Sequence, residues 1–198
     1  TINTRFDLDK NYRNTREILK VAAEFVSTNG EQNDPESGLQ IVRPNPDIAL
    51  RSGPAPEMLT ASTAEGELQG AVKKILAWRE RGLKPSEIAV LYRANTEGWV
   101  KHLASLISQH MTVNWPHDTS GSFVDPSGVC IRTMHSAKGL QWRAVLVMRC
   151  DMMPFLPASN VDRAEQERFE RGLMYVAMTR AEQKLAFTRS TLNGFASR

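Results

Sequence analysis

No apolar run in the sequence approaches the ~20 residues that a membrane-spanning helix needs. The first residues, Thr1-Ile-Asn-Thr-Arg-Phe-Asp7, lack the apolar core of a secretory signal and begin without Met. We therefore expect a piece of a longer protein. Cysteine is scarce: Cys130 and Cys150 stand in no Cys-x-x-Cys pair and in no Cys/His ligand spacing, which argues against a zinc module, so no metal site is expected in the chain. Both lie beside Val, Ile and Leu and read as reduced core thiols of a cytoplasmic protein. Internal repeats, low-complexity tracts and coiled-coil heptads are all missing. No Ser and Asp accompany a His in a way that suggests a hydrolase triad. The most telling absence is the phosphate cradle Gly-x-x-x-x-Gly-Lys-Ser/Thr, which occurs nowhere in the sequence.

What remains is a chain of 198 residues, 41% hydrophobic and 24% charged. That is the composition of a globular protein with room for a proper core. Its net charge of +3 is unevenly spread. Residues 129–198 hold 11 Lys/Arg against 6 Asp/Glu, and residues 1–128 hold 14 against 16. A basic end suits an anionic partner such as nucleotide or nucleic acid, although solvated helix faces account for such charges equally well.

Strand and helix patterns alternate. Helices are expected from Asn14 to Ser27, with Asn14 as N-cap and Glu17 completing a capping box, and from Ala64 to Arg81, capped by Thr63 and stopped by Gly82. Two more run over 96–109 and over 162–180, the latter capped by Asp162. Buried strands are expected at 88–92, 129–133 and 144–148, a final one at 184–188, and short ones at 39–42 and 57–61. Residues 29–38 read as a polar loop, 43–56, with four prolines and a glycine, as an extended loop, and 114–128 as mostly loop. The alternation argues for an α/β fold with a mainly parallel sheet.

In open α/β sheets ligands bind at the carboxyl ends of strands, so polar residues that follow strands or sit at helix ends are the candidates. Arg13 lies just ahead of a helix N-terminus, where anions are favoured and a guanidinium gives a forked phosphate donor. The alternative is a surface Arg stacked on Tyr12. Arg93 and Asn95 follow the strand 88–92 and suit single-stranded nucleic acid, unless Asn95 caps the next helix. Thr133, His135, Lys138 and Gly139 cluster after another buried strand, where a lone His is usually structural but the grouping favours a binding turn. Arg180 ends the last helix. There it either complements the helix dipole or reaches a phosphate across a cleft as an arginine finger.

Taken together and in this order, these residues resemble the second RecA-like domain of UvrD/Rep-type superfamily 1 DNA helicases. The matching stretches are Leu8-Asp-Lys-Asn11-Tyr-Arg13-Asn, Ile88-Ala-Val-Leu-Tyr-Arg93-Ala-Asn95, Thr133-Met-His135-Ser-Ala-Lys138-Gly-Leu-Gln141 and Leu173-Met-Tyr175-Val-Ala-Met-Thr179-Arg180-Ala. The resemblance implies a RecA-like three-layer sandwich with helices on both faces of the sheet. It implies that residues 1–198 form one such domain, the C-terminal motor half of an ATP-dependent DNA helicase. A first RecA-like domain elsewhere in the protein would hold most of the ATP and Mg²⁺. Arg13 and Arg180 would reach the γ-phosphate as catalytic groups. Lys138, Gly139 and Gln141 would belong to the nucleotide side, and Tyr175 would support the cleft face of the last helix. Arg93, Asn95, Thr133 and His135 would line the path of single-stranded DNA. The partners implied are that DNA and the first domain, with no membrane, and the fragment alone is expected to be inactive.

Two departures stand out. The family usually carries Glu, bonded to the nucleotide ribose, where this chain has Gln141. Its large helical insertion is also absent or much reduced, because only 37 residues separate Asn95 from Thr133. The alternative reading is a non-catalytic helicase-like module that binds DNA or protein.

Overall fold

The computed structural model describes residues 11–27, 32–33, 40–41, 45–95, 98–115, 125–155 and 162–190. Ten strands are described: β1 (Asn11–Thr15), β2 (Gln32–Asn33), β3 (Gln40–Ile41), β4 (Ala49–Arg51), β5 (Glu57–Thr60), β6 (Ile88–Tyr92), β7 (Val113–Asn114), β8 (Val129–Thr133), β9 (Trp142–Val147) and β10 (Ala181–Arg189). Four helices accompany them: α1 (Arg16–Ser27), α2 (Ala64–Glu80), α3 (Trp99–Ser108) and α4 (Arg163–Thr179). Six strands form one sheet in the order β5-β10-β9-β6-β8-β7, and every neighbouring pair in it is parallel.

The central strands are buried on both faces, which is why they read as continuous apolar runs rather than alternating ones. Ile88 and Val90 of β6, Ile131 of β8 and Leu146 of β9 pack with α2 and α3 through Ile75, Trp78 and Leu103. Ala89 and Leu91, Cys130, and Val145 and Val147 turn the other way, against Ile18 and Ala22 of α1 and Leu173 and Ala177 of α4. The result is three layers with helices on both faces, as the RecA-like resemblance implies. Cys130 and Cys150 are free and buried, and burial pushes both thiols above their ordinary range. Neither is therefore a reactive thiolate. No helix among the described residues is long and apolar enough to cross a membrane.

Most expected elements are present, with shifts of one to three residues at their ends. Thr63 caps α2 by accepting from the Gly66 N–H at 3.0 Å, Gly82 sits at φ +90° beyond its end, and Asp162 caps α4. Two expectations are corrected. Asn14 does not cap α1, which begins at Arg16; it lies in β1, and its side chain is spent on distant carbonyls. Glu17 completes no capping box there but accepts from the Gly53 N–H at 2.7 Å. The stretch 43–56 is not wholly loop either, because Ala49–Arg51 pairs in parallel with β1. Most of the polar loop at 29–38, the helix start at Thr96 and the loop residues 116–124 lie outside the described residues.

The β7 edge depends on a close backbone approach at Gly128. The Val129 N–H donates to the Thr112 carbonyl at 2.9 Å, and a Cβ on Gly128 would stand 2.7 Å from that same oxygen. Backbone cannot yield as a flexible side chain does. Gly128→Ala is therefore expected to cost about 1–3 kcal/mol, read as a lower denaturation midpoint with an unchanged slope.

Candidate functional site

Helix α4 and residues 134–141 both run against the direction of the strands. Each leaves the carboxyl end of the sheet and returns to the amino end of the next strand, α4 before β10 and 134–141 before β9. With 17 residues at 1.5 Å each, α4 covers about 25 Å. The polar groups singled out in the sequence therefore separate into two places.

At the amino ends of β9 and β10 lies an open cleft of about 610 Å³. Its walls include Tyr12, Arg13, Arg51, Gln141, Tyr175 and Arg180, with Glu182 beside them. Residues 13, 141 and 180 are thus brought together although they lie far apart in sequence. All three line a cleft at the amino ends of the strands rather than at their carboxyl ends. The cause is the antiparallel course of α4 and of 134–141, which carries the ends of both motifs to the opposite edge. Lys138 and Gly139 are exposed on the crossing segment, with Gly139 at φ +80°, and neither lines the cleft.

The two arginines are presented differently. Arg13 is exposed. Its amide N–H donates to Asn11 Oδ1 at 2.8 Å and its carbonyl accepts from Arg51 Nη2 at 3.1 Å. Arg51 Nη2 also donates to the Tyr12 carbonyl. The guanidinium of Arg13 makes no hydrogen bond or ion pair among the described residues, so a rigid base carries an available head. Arg180 is half-buried, and its guanidinium is held by neutral acceptors: Nε on the Val176 carbonyl at 3.1 Å, Nη1 on Leu140 at 3.3 Å and Nη2 on Thr179 Oγ1 at 3.3 Å. Such contacts keep the fork aimed. Burial raises the Tyr175 phenol, partly countered by Arg180, so it is a neutral hydroxyl at neutral pH.

The second place is the carboxyl ends of β6 and β8, where Tyr92 registers with Thr133 and the Met134 N–H donates to the Tyr92 carbonyl at 2.8 Å. Arg93 is committed here. Its Nε donates to both carboxylate oxygens of Glu170 at 2.9 Å, Nη2 lies 2.8 Å from Oε1, and the guanidinium sits 5.2 Å over the Phe155 ring. The Glu170 side chain is 0% exposed. Asn95 accepts from the Val100 N–H at 3.2 Å in the first turn of α3, whose N-cap position is held by Gly98. Thr133 closes its own turn with Ser136 at 3.0 Å. His135 lies against Phe169 with ring centroids 5.9 Å apart. Both remain partly exposed.

Arg51 and Glu182 were missed as cleft residues. Arg51 lies in the proline-rich stretch, where no periodicity marks a strand. Glu182 follows directly on the Thr179–Ala181 motif, and that adjacency was the available signal.

A family model described as the UvrD-like helicase C-terminal domain matches residues 6–114 and 103–191. The ATP-dependent DNA helicase PcrA of Staphylococcus aureus and that of Staphylococcus epidermidis are each 39% identical over 67 residues, which is 33% of this chain and 9% of theirs. The chain thus matches only a small part of those relatives. The crystal structure of the C-terminal domain of a possible DNA helicase from Lactobacillus plantarum WCFS1 superposes with a TM-score of 0.60 at 18% identity, covering 90% of this chain and 87% of that one. That similarity is one of fold. With the family model spanning nearly the whole sequence, the chain belongs to the UvrD-like helicase C-terminal domain family.

Proposed function

We propose that the chain is the cation-supplying half of an ATP-driven DNA motor, working on a nucleotide held chiefly by another domain. The observation that carries this reading is the convergence of Arg13, Arg180 and Gln141 in one open cleft. The Arg13 guanidinium has no protein partner among the described residues, and that of Arg180 is held by neutral oxygens. Such a cleft fits a polyphosphate. On this reading the chain's contribution is cationic, and Mg²⁺ would be held by the other domain, as the family resemblance implies. Phosphoryl transfer asks mainly for placed charges, since negative charge builds on the transferred group and forked donors stabilise it there. Gln141 would hydrogen-bond the nucleotide without adding charge.

Single-stranded DNA would pass the carboxyl ends of β6 and β8, contacting the Thr133–His135 turn. Arg93 and Asn95, bonded to Glu170 and to the Val100 N–H, would shape that surface. Helix α4 and residues 134–141 connect this track to the nucleotide cleft, so closing the cleft would move the track. The family model's two matched stretches overlap at 103–114, between the Arg93 and Thr133 motifs, in line with a reduced insertion there.

The purified 198-residue chain is expected to show no ATP turnover and no tight ATP binding. DNA-stimulated turnover by the isolated chain would overturn the division of labour. A full-length protein that binds single strands yet hydrolyses no ATP would instead favour the non-catalytic module.

A further inference from the structure

Asn14 is buried, 3% exposed, although its neighbours Tyr12 and Arg13 are exposed. A buried amide must spend its donors and acceptor, and the way Asn14 does so is specific. Its Nδ2 donates to the carbonyl of Thr179 at 3.0 Å and to that of Ala181 at 2.6 Å. Those carbonyls flank Arg180. Its Oδ1 accepts from Asn11 Nδ2 at 3.4 Å, and Asn11 Oδ1 in turn accepts from the Arg13 and Asn14 amides. One side chain, adjacent in sequence to Arg13, thus straddles Arg180 across 165 and 167 residues of chain. The opposite wall is fixed as well, because the Trp142 N–H donates to the Arg180 carbonyl at 3.0 Å, next to Gln141.

We propose that Asn14 is a positioning residue that sets the spacing of the Arg13 and Arg180 guanidiniums, so that both meet one phosphate group. The proposal rests on the roles given above to those two arginines. Two forked donors serve one phosphoryl group only if their bases hold a fixed separation, and a 1 Å misplacement can cost about 10²-fold in rate. Without Asn14, β1 keeps its pairing with β4, which lies outside the six-stranded sheet, and its packing against β10. Among the described residues, the Asn14 amide makes the side-chain hydrogen bonds that join β1 to the carbonyls on either side of Arg180. Asn14 touches no reacting atom and acts wholly through its two neighbours.

The test is a double-mutant cycle on DNA-stimulated ATP turnover by the full-length protein. Asn14→Ala is expected to lower kcat by about 10–100-fold, with KM for ATP and single-strand affinity changed less than about 3-fold. In an Arg13→Ala background the same substitution should cost less than about 3-fold more. The isosteric Asn14→Asp, which loses the donor, should match Asn14→Ala, and Asn14→Ser, which keeps one, should recover part of the rate. If Asn14→Ala fails to fold, Asn14→Ser is scored against the same cycle. Amide hydrogen exchange should quicken about 10-fold or more over residues 11–15 and not over β6 and β8. Full additivity with Arg13→Ala, or a kcat unchanged in Asn14→Ala, overturns the proposal. An Arg13→Ala single mutant with normal kcat overturns the role of Arg13 itself and takes the proposal with it. The two failures are therefore told apart within one cycle.

Discussion

Replacing Arg180 by Ala in the full-length protein lowers ATP turnover by about 10³-fold or more, while single-strand affinity stays within about twofold. The size of the effect follows from where the charge sits. Arg180 lies at the C-cap of α4, and its guanidinium is aimed by three neutral oxygens of Val176, Leu140 and Thr179. A phosphoryl group entering the cleft would gain a charge-assisted partner already in place, with little reorganisation. The fold should tolerate the change. The bonds lost run from a part-exposed cation to neutral oxygens, about 1.5 kcal/mol each before solvent competition, and Thr179 still closes its own bonds to the Tyr175 and Val176 carbonyls at 3.0 Å. Arg180→Lys restores little, because a point charge cannot make the forked contact. Steady-state turnover, filter binding to a labelled oligonucleotide and a melting curve measure the three quantities separately. Loss of DNA binding in step with turnover would contradict the separation of cleft and track.

Arg93→Ala produces the other large effect, and it is an effect on folding. The motif alone makes Arg93 look like a DNA contact. In the structure its fork closes on Glu170, whose side chain is wholly buried and also accepts from the Phe155 N–H at 3.2 Å and Gln166 Nε2 at 3.1 Å. Removing the cation leaves a buried carboxylate without its counter-charge, at a cost of about 3–5 kcal/mol. In a domain of this size that corresponds to a fall in Tm of about 10 °C. Replacing both partners, Arg93→Met with Glu170→Leu, should recover most of the loss, since an apolar pair needs no compensation. At a temperature where Arg93→Ala remains folded, the slope of log affinity against log salt should equal that of the unmutated protein. A phosphate-contacting Arg would reduce that slope by about 1. Such a reduction, with an unchanged Tm, would return Arg93 to the DNA surface.

The layers of the fold were legible because they rest on short-range signals. Apolar runs such as Ile88–Tyr92 admit burial on two faces only, and Thr63 and Asp162 announce their helices by capping chemistry. The convergence of Arg13 with Arg180 was legible only through the order of the motifs, since neither spacing nor periodicity joins residues at opposite ends of a chain. What stayed hidden was the use of individual polar side chains. Asn14 has the right identity and position for an N-cap. Tertiary carbonyls outcompete the helix for its amide, and no local rule anticipates partners 165 residues away. The Arg93–Glu170 ion pair stayed hidden for the same reason, because Glu170 lies one helix and several strands distant in sequence. Arg51 was invisible in a stretch whose prolines signal irregular backbone, yet β4 forms there by pairing with β1.

The central claim is that this chain stabilises charge that develops on a nucleotide held elsewhere, rather than holding the nucleotide itself. The direct measurement is the affinity of the full-length protein for Mg-ADP with and without fluoroaluminate, a planar mimic of the transferring phosphoryl group, in the unmutated protein and in Arg13→Ala and Arg180→Ala. The account predicts nearly equal Mg-ADP affinity in all three and a loss of about 10²-fold or more in affinity for the fluoroaluminate complex in both variants. Equal affinity for that complex in all three proteins would contradict it.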